Sequence, residues 1–201
     1  MFAFVIRQLI GLQARWLGCA PEPRPRIYFA NHTSNLDGPA IWASLPAPLR
    51  RLTRPVAAKD YWLGDPLRRF FAMSCLNAVL IERKHVTADN NPLIDMGAAL
   101  EGGSSLIIFP EGLRVQDEDA PLNPFKPGLW HLAKRHPTVE LVPVWLENLN
   151  RILPRGAALW VPVMGAVTFG APIKLEPDED KAAFLARARQ AVTDLGQGVA
   201  S

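Results

Sequence analysis

"RIYFANHTSNLDGPAIWASL", residues 26–45, is the stretch from which the rest of the chain is read. "RIYFA" is a short apolar run with a β-branched and two aromatic residues, the composition of a buried strand. "NHTSN" follows at once, a cluster of small polar residues that cap amides and favour turns. "DGPAIWASL" then reads as a helix, with an acidic residue and a proline in its first turn. A buried strand that runs through a polar turn into a helix is one half of a β-α-β unit, so the stretch predicts an α/β architecture.

The same alternation continues outward. "PVAAK" predicts a second strand, and "YWLGDPLRRFFAMSC" a helical segment around Pro66. "NAVLIER" predicts a third strand, "NPLIDMGAALEGG" a helix with start and stop signals, and "SSLIIF" a fourth strand running into "PEGLR". An irregular acidic stretch, "QDEDAPLNPFKP", leads to the helix "GLWHLAKRH". Then come the strands "VELVPVWL", "AALWVPVMG" and "AVTFGAPI", and the closing amphipathic helix "EPDEDKAAFLARARQAVTDLG". The expected fold is a single α/β domain with a mainly parallel central sheet flanked by helices, over residues 21–201. In such sheets ligands bind where strands end and helices begin.

The 201 residues suit one domain, and 49% hydrophobic content supports a sizeable core and argues against disorder. A net charge of +3 favours an anionic partner without naming one. The positives gather in "RRLTRP" and "PLRRFF", as Arg50, Arg51, Arg54, Arg68 and Arg69; they form either a solvated basic face or a phosphate or membrane surface. Two cysteines, Cys19 and Cys75, make no disulfide framework and fit a reducing compartment. At the start, "MFAFVIRQLIGLQARWLGCA" has its apolar run broken by Arg7 and Arg15, which disfavours a spanning helix. Residues 1–20 are expected to form a separate interfacial helix, with its arginines snorkelling to lipid phosphates; an ordinary docking helix is the alternative. Pro21, Pro23 and Pro25 mark a linker after it.

Three strand exits carry the residues capable of chemistry. "RIYFA" exits into Asn31, His32 and Asp37; "AVLI" exits into Glu82 and Arg83; "LIIF" exits into Pro110, Glu111, Gly112 and Arg114. Neighbouring strands would gather these groups on one edge of the sheet. His32 and Asp37 do not share a face of a regular helix, because five steps turn a side chain by roughly 140° net. His32 must therefore lie in the turn before the helix and fold back for its ring to meet the carboxylate. A carboxylate on one ring nitrogen sets the tautomer and leaves the other nitrogen as a general base, whereas a capping histidine at a helix start would need no such partner. Pro110 and Gly112 force a tight turn straight off a strand, and Arg114 at its tip suits bidentate phosphate binding; an ion-paired surface turn is the plainer reading.

These motifs together resemble the glycerolipid acyltransferases, the family of 1-acylglycerol-3-phosphate and glycerol-3-phosphate acyltransferases. "NHTSNLD" looks like their H-x4-D motif, "NAVLIER" is similar to G-x-x-F-I-[DE]-R, "FPEGLR" to F-P-E-G-T-R, and "LVPVWL" to an apolar V-P-[VI] strand, all in the family's order over residues 27–146. Asn77 stands where glycine is usual, and Leu113 where threonine or serine is usual. The resemblance implies an O-acyltransferase of phospholipid biosynthesis that moves an acyl group from a thioester to the hydroxyl of 1-acylglycerol 3-phosphate, with glycerol 3-phosphate or another lysophospholipid as alternative acceptors. It implies His32 as base and Asp37 as its orienting partner. Arg83, Glu111, Gly112 and Arg114 would bind the acceptor, and Lys59 would add positive charge. It implies no bound cofactor and no metal, acyl-CoA or acyl carrier protein as thioester co-substrate, and a site at the cytoplasmic face of a membrane, peripheral or monotopic, with anionic lipid as a partner.

Rival chemistries lack their signatures. No G-x-S-x-G elbow would activate a serine, so Ser34, Ser104 and Ser105 read as turn residues. No H-E-x-x-H or cysteine pair at ligand spacing suggests a metal, and His131 and His136 read as helix-surface residues. "DYWLGDPLRRFF" interleaves aromatic and basic residues without a nucleic-acid motif, so no nucleic-acid partner is expected. A non-catalytic lipid- or membrane-binding module is the reading from another class; it would not need His32.

Overall fold

The computed structural model describes residues 2–83, 86–87, 90–114, 122–152 and 164–199. In chain order its elements are α1 (Phe2–Leu9), β1 (Gln13–Trp16), β2 (Arg26–Ala30), α2 (Asp37–Ser44), α3 (Ala47–Leu52), β3 (Thr53–Ala58), α4 (Lys59–Trp62) and α5 (Pro66–Phe70). A π-helical turn (Phe71–Cys75) follows, then β4 (Val79–Ile81), α6 (Pro92–Glu101), β5 (Ser105–Ile108), α7 (Gly128–Arg135), β6 (Glu140–Glu147), α8 (Leu149–Ile152), β7 (Ala166–Phe169) and α9 (Lys181–Val199). Local chemistry sets the starts of several helices. Asp65 and Asn91 each accept from a backbone amide of the first turn, with Pro66 and Pro92 just inside, and the Asp180 carboxylate accepts from Ala183 N at 2.9 Å.

Among the described residues the strands form one seven-stranded sheet in the order β1-β7-β6-β2-β5-β3-β4. Among the strands of the described residues only β6 and β7 pair antiparallel, so the sheet is mainly parallel, as the alternation predicts. One apolar cluster, with Phe29, Leu106, Leu129 and Phe184, covers one face beneath α6, α7 and α9. A second, with Tyr28, Ile41, Ile107 and Phe169, covers the other beneath α1 and α2. β2 lies at the centre and is buried throughout, as "RIYFA" suggests. Because β2, β3, β4 and β5 run parallel, all four strands release their chains at the same edge.

The N-terminal expectation is corrected. Residues 1–20 are not one helix apart from the domain: α1 stops at Leu9, the chain turns at Gly11, and Gln13–Trp16 adds an edge strand parallel to β7. Ala3 and Ile10 are buried, while Phe4 and Val5 are exposed. The alternating half-buried pattern of "QARW" is too short and polar to stand out beside the apolar residues that precede it. The strand expected over "AALWVPVMG" falls on residues 157–165, of which 157–163 lie outside the described residues, as does His85. His136, expected on the helix surface, closes α7 with its Nε2 buried and without a hydrogen-bond partner.

Candidate active site

Register brings the strand exits level with one another. Phe29 stands opposite Ile108 across β2 and β5, so three residues farther along each chain His32 meets Glu111. The contact is made by the backbone: His32 N–H donates to Glu111 Oε1 at 3.0 Å. Likewise Ala58 stands opposite Ile81 across β3 and β4, and two residues on, Asp60 and Arg83 form an ion pair at 2.9 Å. Asn31 extends the β2–β6 ladder with its side chain. Its Nδ2 donates to Leu146 O at 3.0 Å and its Oδ1 accepts from Leu146 N at 2.8 Å. These two bonds fix the start of the polar turn.

Within that turn His32 folds back onto Asp37. His32 Nδ1 lies 2.8 Å from Asp37 Oδ2. The same oxygen accepts from the Thr33 and Ser34 amides at 2.7 and 2.8 Å. Asp37 is fully buried at the first position of α2, where the helix dipole favours a carboxylate, and the His32 side chain retains 22% exposure. Two backbone donors pin Oδ2, so the oxygen that faces the imidazole is an acceptor and Nδ1 is assigned as the nitrogen that donates to it. The ring plane is held by stacking on Phe109, with centroids 4.2 Å apart and planes 19° from parallel. The arrangement leaves Nε2 as the nitrogen able to take a proton.

Glu111 bonds to the protein backbone on both of its oxygens. Its carboxylate lies behind the cavity lining: Oε1 takes the His32 amide, and Oε2 takes the Asn123 amide at 2.8 Å. Glu111 is buried, and that burial raises its carboxyl above the usual carboxylate range, with the two amide bonds opposing the rise. Glu111 therefore braces the loop that carries the histidine. Gly112 has φ +71 and lies under the Lys126 side chain, whose Cε would stand 2.6 Å from any Cβ placed there. Gly112 thus serves both the turn and the close passage of a lysine. Lys59 opens α4 but does not line the cavity, so its predicted role has no support in this geometry.

A cavity of about 600 Å³ opens beside His32. Its rim carries Arg83, Arg114, Lys126 and Tyr61, and its depth is apolar, with Val56, Ala72, Leu76, Met96, Leu129 and Leu132 among the walls. Arg83 is engaged by both oxygens of Asp60, at 2.9 and 3.2 Å, and the Arg114 guanidinium lies 6.0 Å from the Tyr61 ring centroid. The structure thus brings His32, Arg83, Gly112 and Arg114 to one cavity, with Asp37 buried behind His32. It adds Lys126, Tyr61 and Phe109, whose only sequence signals were their neighbours. The departure at Asn77 is explained by a backbone φ of +47, a left-handed position that asparagine tolerates almost as glycine does. Among the described residues, no group of three or more histidine, cysteine, aspartate or glutamate side chains could hold a metal ion.

The family model described as Acyltransferase matches residues 18–147. Similar curated proteins include "Taffazin" of Dictyostelium discoideum, 31% identical over 157 residues, which are 71% of this chain and 51% of that protein. They also include the chloroplastic 1-acyl-sn-glycerol-3-phosphate acyltransferase BAT2 of Brassica napus, 28% identical over 133 residues, which are 66% of this chain and 36% of that protein. The chain therefore spans about half, or less, of the length of these relatives. Among solved structures, the crystal structure of the 1-acyl-sn-glycerophosphate (LPA) acyltransferase PlsC from Thermotoga maritima superposes with a TM-score of 0.69. At 18% identity it covers 98% of this chain and 79% of that one, and it shares the fold.

Proposed function

The chain belongs to the Acyltransferase family, and from that premise we propose that it transfers a fatty acyl group from an acyl thioester to the hydroxyl of 1-acylglycerol 3-phosphate, yielding phosphatidate. The observation that carries this reading is the His32–Asp37 pair, 2.8 Å apart, at the mouth of an apolar cavity rimmed by Arg83, Arg114 and Lys126. A site that joins a base, cations and an apolar chamber fits a substrate with a hydroxyl, a phosphate and a long chain. His32 Nε2 takes the proton from the acceptor hydroxyl as its oxygen attacks the thioester carbonyl. The carbon–sulfur bond breaks, and the imidazolium returns the proton to the departing thiolate of coenzyme A or acyl carrier protein. Asp37 holds Nδ1–H and balances the imidazolium charge while it exists. No covalent acyl-enzyme is required, since the acceptor oxygen itself forms the new ester bond.

Arg114 and Lys126 bind the acceptor phosphate in this reading, and Arg83 does so once it exchanges part of its contact with Asp60. Leu113 puts an exposed apolar side chain at the rim in place of a hydroxyl, which favours an acceptor that already carries an acyl chain over glycerol 3-phosphate. Because that substrate resides in a bilayer, the protein works at a membrane surface, peripherally, with anionic lipid as its partner and the cytoplasmic face as its location. No helix among the described residues is long and apolar enough to cross a membrane. The test is thiol release from acyl-CoA and from acyl carrier protein thioester, with lysophosphatidate, glycerol 3-phosphate and other lysolipids as acceptors. Acceptor-dependent thiol release that disappears in His32→Ala supports the reading; thiol release equal in that variant refutes it, and vesicle binding with no thiol release for any acceptor would favour a non-catalytic lipid-binding module.

A further inference from the structure

α5 continues directly into the π-helical turn, so residues 66–75 form one helical run beside the cavity. Its two faces differ sharply. Ala72, with Leu76 just beyond it, is buried and lines the cavity wall. On the opposite face Leu67, Phe70 and Met73 are 64, 55 and 51% exposed, at steps of three residues that keep them on one side. Exposed apolar side chains so closely grouped mark an interaction surface rather than ordinary surface scatter. Arg68 and Arg69 flank them, exposed, and the Arg68 guanidinium rests 4.6 Å from the Tyr61 ring centroid on the cavity rim. Leu113, 65% exposed, and Val86 continue the apolar surface to the cavity mouth.

We infer that the outer face of residues 66–75 docks into an anionic lipid surface, with Leu67, Phe70 and Met73 entering the acyl boundary and Arg68 and Arg69 meeting lipid phosphates. Apolar groups with cations at their margin match the layering of a bilayer surface, where hydrocarbon lies beneath a plane of negative charge. Leu67, Phe70 and Met73, even with Leu113 and Val86, are far fewer than the roughly 20–30 residues a side of a stable protein–protein interface. Docked in this way, the run forms a single wall between bilayer and cavity, and the mouth beside Leu113 lies at the lipid plane. This surface rather than α1 then carries most of the attachment, since α1 packs against α2 and offers Phe4 and Val5 alone among its described large apolar side chains. The inference deepens the acyltransferase reading by stating how a membrane-resident acceptor reaches the site, but the docking itself does not depend on that reaction.

The experiment is co-sedimentation of the full chain with vesicles of phosphatidylcholine alone or mixed with phosphatidylglycerol, beside thiol release with a short-chain, monomeric acceptor. The triple variant Leu67→Ser, Phe70→Ser, Met73→Ser should lose roughly tenfold or more of its vesicle binding. Arg68→Gln with Arg69→Gln, which leaves the apolar surface in place, should lose roughly fivefold per arginine on anionic vesicles and little on neutral ones. Phe4→Ser with Val5→Ser should lose less than either. Thiol release with the short-chain acceptor should match the parent in all three, which also shows that they fold. Parental vesicle binding by both the triple and the arginine variants would overturn the inference. So would loss confined to turnover with acyl carrier protein thioester in the absence of vesicles, which would assign the surface to a protein. If the surface binds vesicles as described but no acceptor supports thiol release, the docking stands and the acyltransferase reading fails.

Discussion

Asp37→Asn separates the two tasks that one carboxylate performs. Asp37 Oδ2 accepts three hydrogen bonds, from His32 Nδ1 at 2.8 Å and from the Thr33 and Ser34 amides at 2.7 and 2.8 Å, while Oδ1 is buried without a hydrogen-bond partner. An asparagine placed there keeps all three bonds by setting its amide oxygen at the Oδ2 position, because the two amides reject an NH2 group on that side. The tautomer of His32 is therefore preserved. What disappears is the negative charge. Bonds to a neutral acceptor are weaker by about 1 kcal/mol each, and relief from burying a charge offsets part of that, so stability should change by about 0–2 kcal/mol. The imidazolium in the transition state loses a partner worth about 4 kcal/mol at 4 Å in an environment of effective dielectric 20. Turnover should thus fall roughly 10²–10³-fold with the acceptor KM little changed. Asp37→Ala strands two loop amides as well, at about 1–3 kcal/mol each, so it should fall by a similar factor in turnover and also lose thermal stability. Thiol-release kinetics, thermal unfolding and imidazole nitrogen NMR shifts measure the three quantities. Turnover within about threefold of the parent in Asp37→Asn would reduce Asp37 to a loop cap. A loss of stability equal to that of Asp37→Ala would show that the amide does not occupy the Oδ2 position.

His32→Ala should reduce turnover by roughly 10²–10⁴-fold with thermal unfolding near that of the parent, since the ring stacks on Phe109 at a partly exposed site. Arg114→Ala should chiefly raise the acceptor KM, and Arg114→Lys should restore it only in part, because a point charge does not replace a planar fork; unchanged KM and turnover would remove Arg114 from acceptor binding. Glu111→Gln places an NH2 group against either the His32 or the Asn123 amide and should lower turnover through the displaced loop. Burial raises the Glu111 carboxyl above its ordinary 4.5, so the folded state holds that proton more tightly than the unfolded chain. Its contribution to stability is then greatest at low pH and declines as pH rises through the folded value, and the difference in unfolding free energy between parent and Glu111→Gln, measured against pH, should show that slope. Gly196→Ala would normally favour a helix, but a Cβ there falls 2.6 Å from the Trp145 ring, so thermal stability should drop rather than rise.

The strand–turn–helix pattern at 26–45 and its repeats determined most of the architecture, because a buried parallel strand must be continuously apolar and a helix must carry caps and a stripe. The H-x4-D and F-P-E-G-x-R motifs, through their resemblance to the glycerolipid acyltransferases, likewise point to His32, Asp37 and Arg114. Other features depend on distances across the sheet, which no local pattern encodes. "QARW" joins the sheet because β7 offers it an unpaired edge, not because its own residues demand a strand. Glu111 and Arg83 look equivalent as charged residues at strand exits. Tertiary register turns one inward onto two backbone amides and sets the other on the rim against Asp60. Lys59 follows a strand at the same edge, yet the start of α4 carries it away from the cavity, while Lys126, distant in sequence, crosses over Gly112 at the rim. Residue type and spacing state which groups are capable of chemistry. Strand order and register decide which of them face one another, because those contacts join residues far apart in the chain.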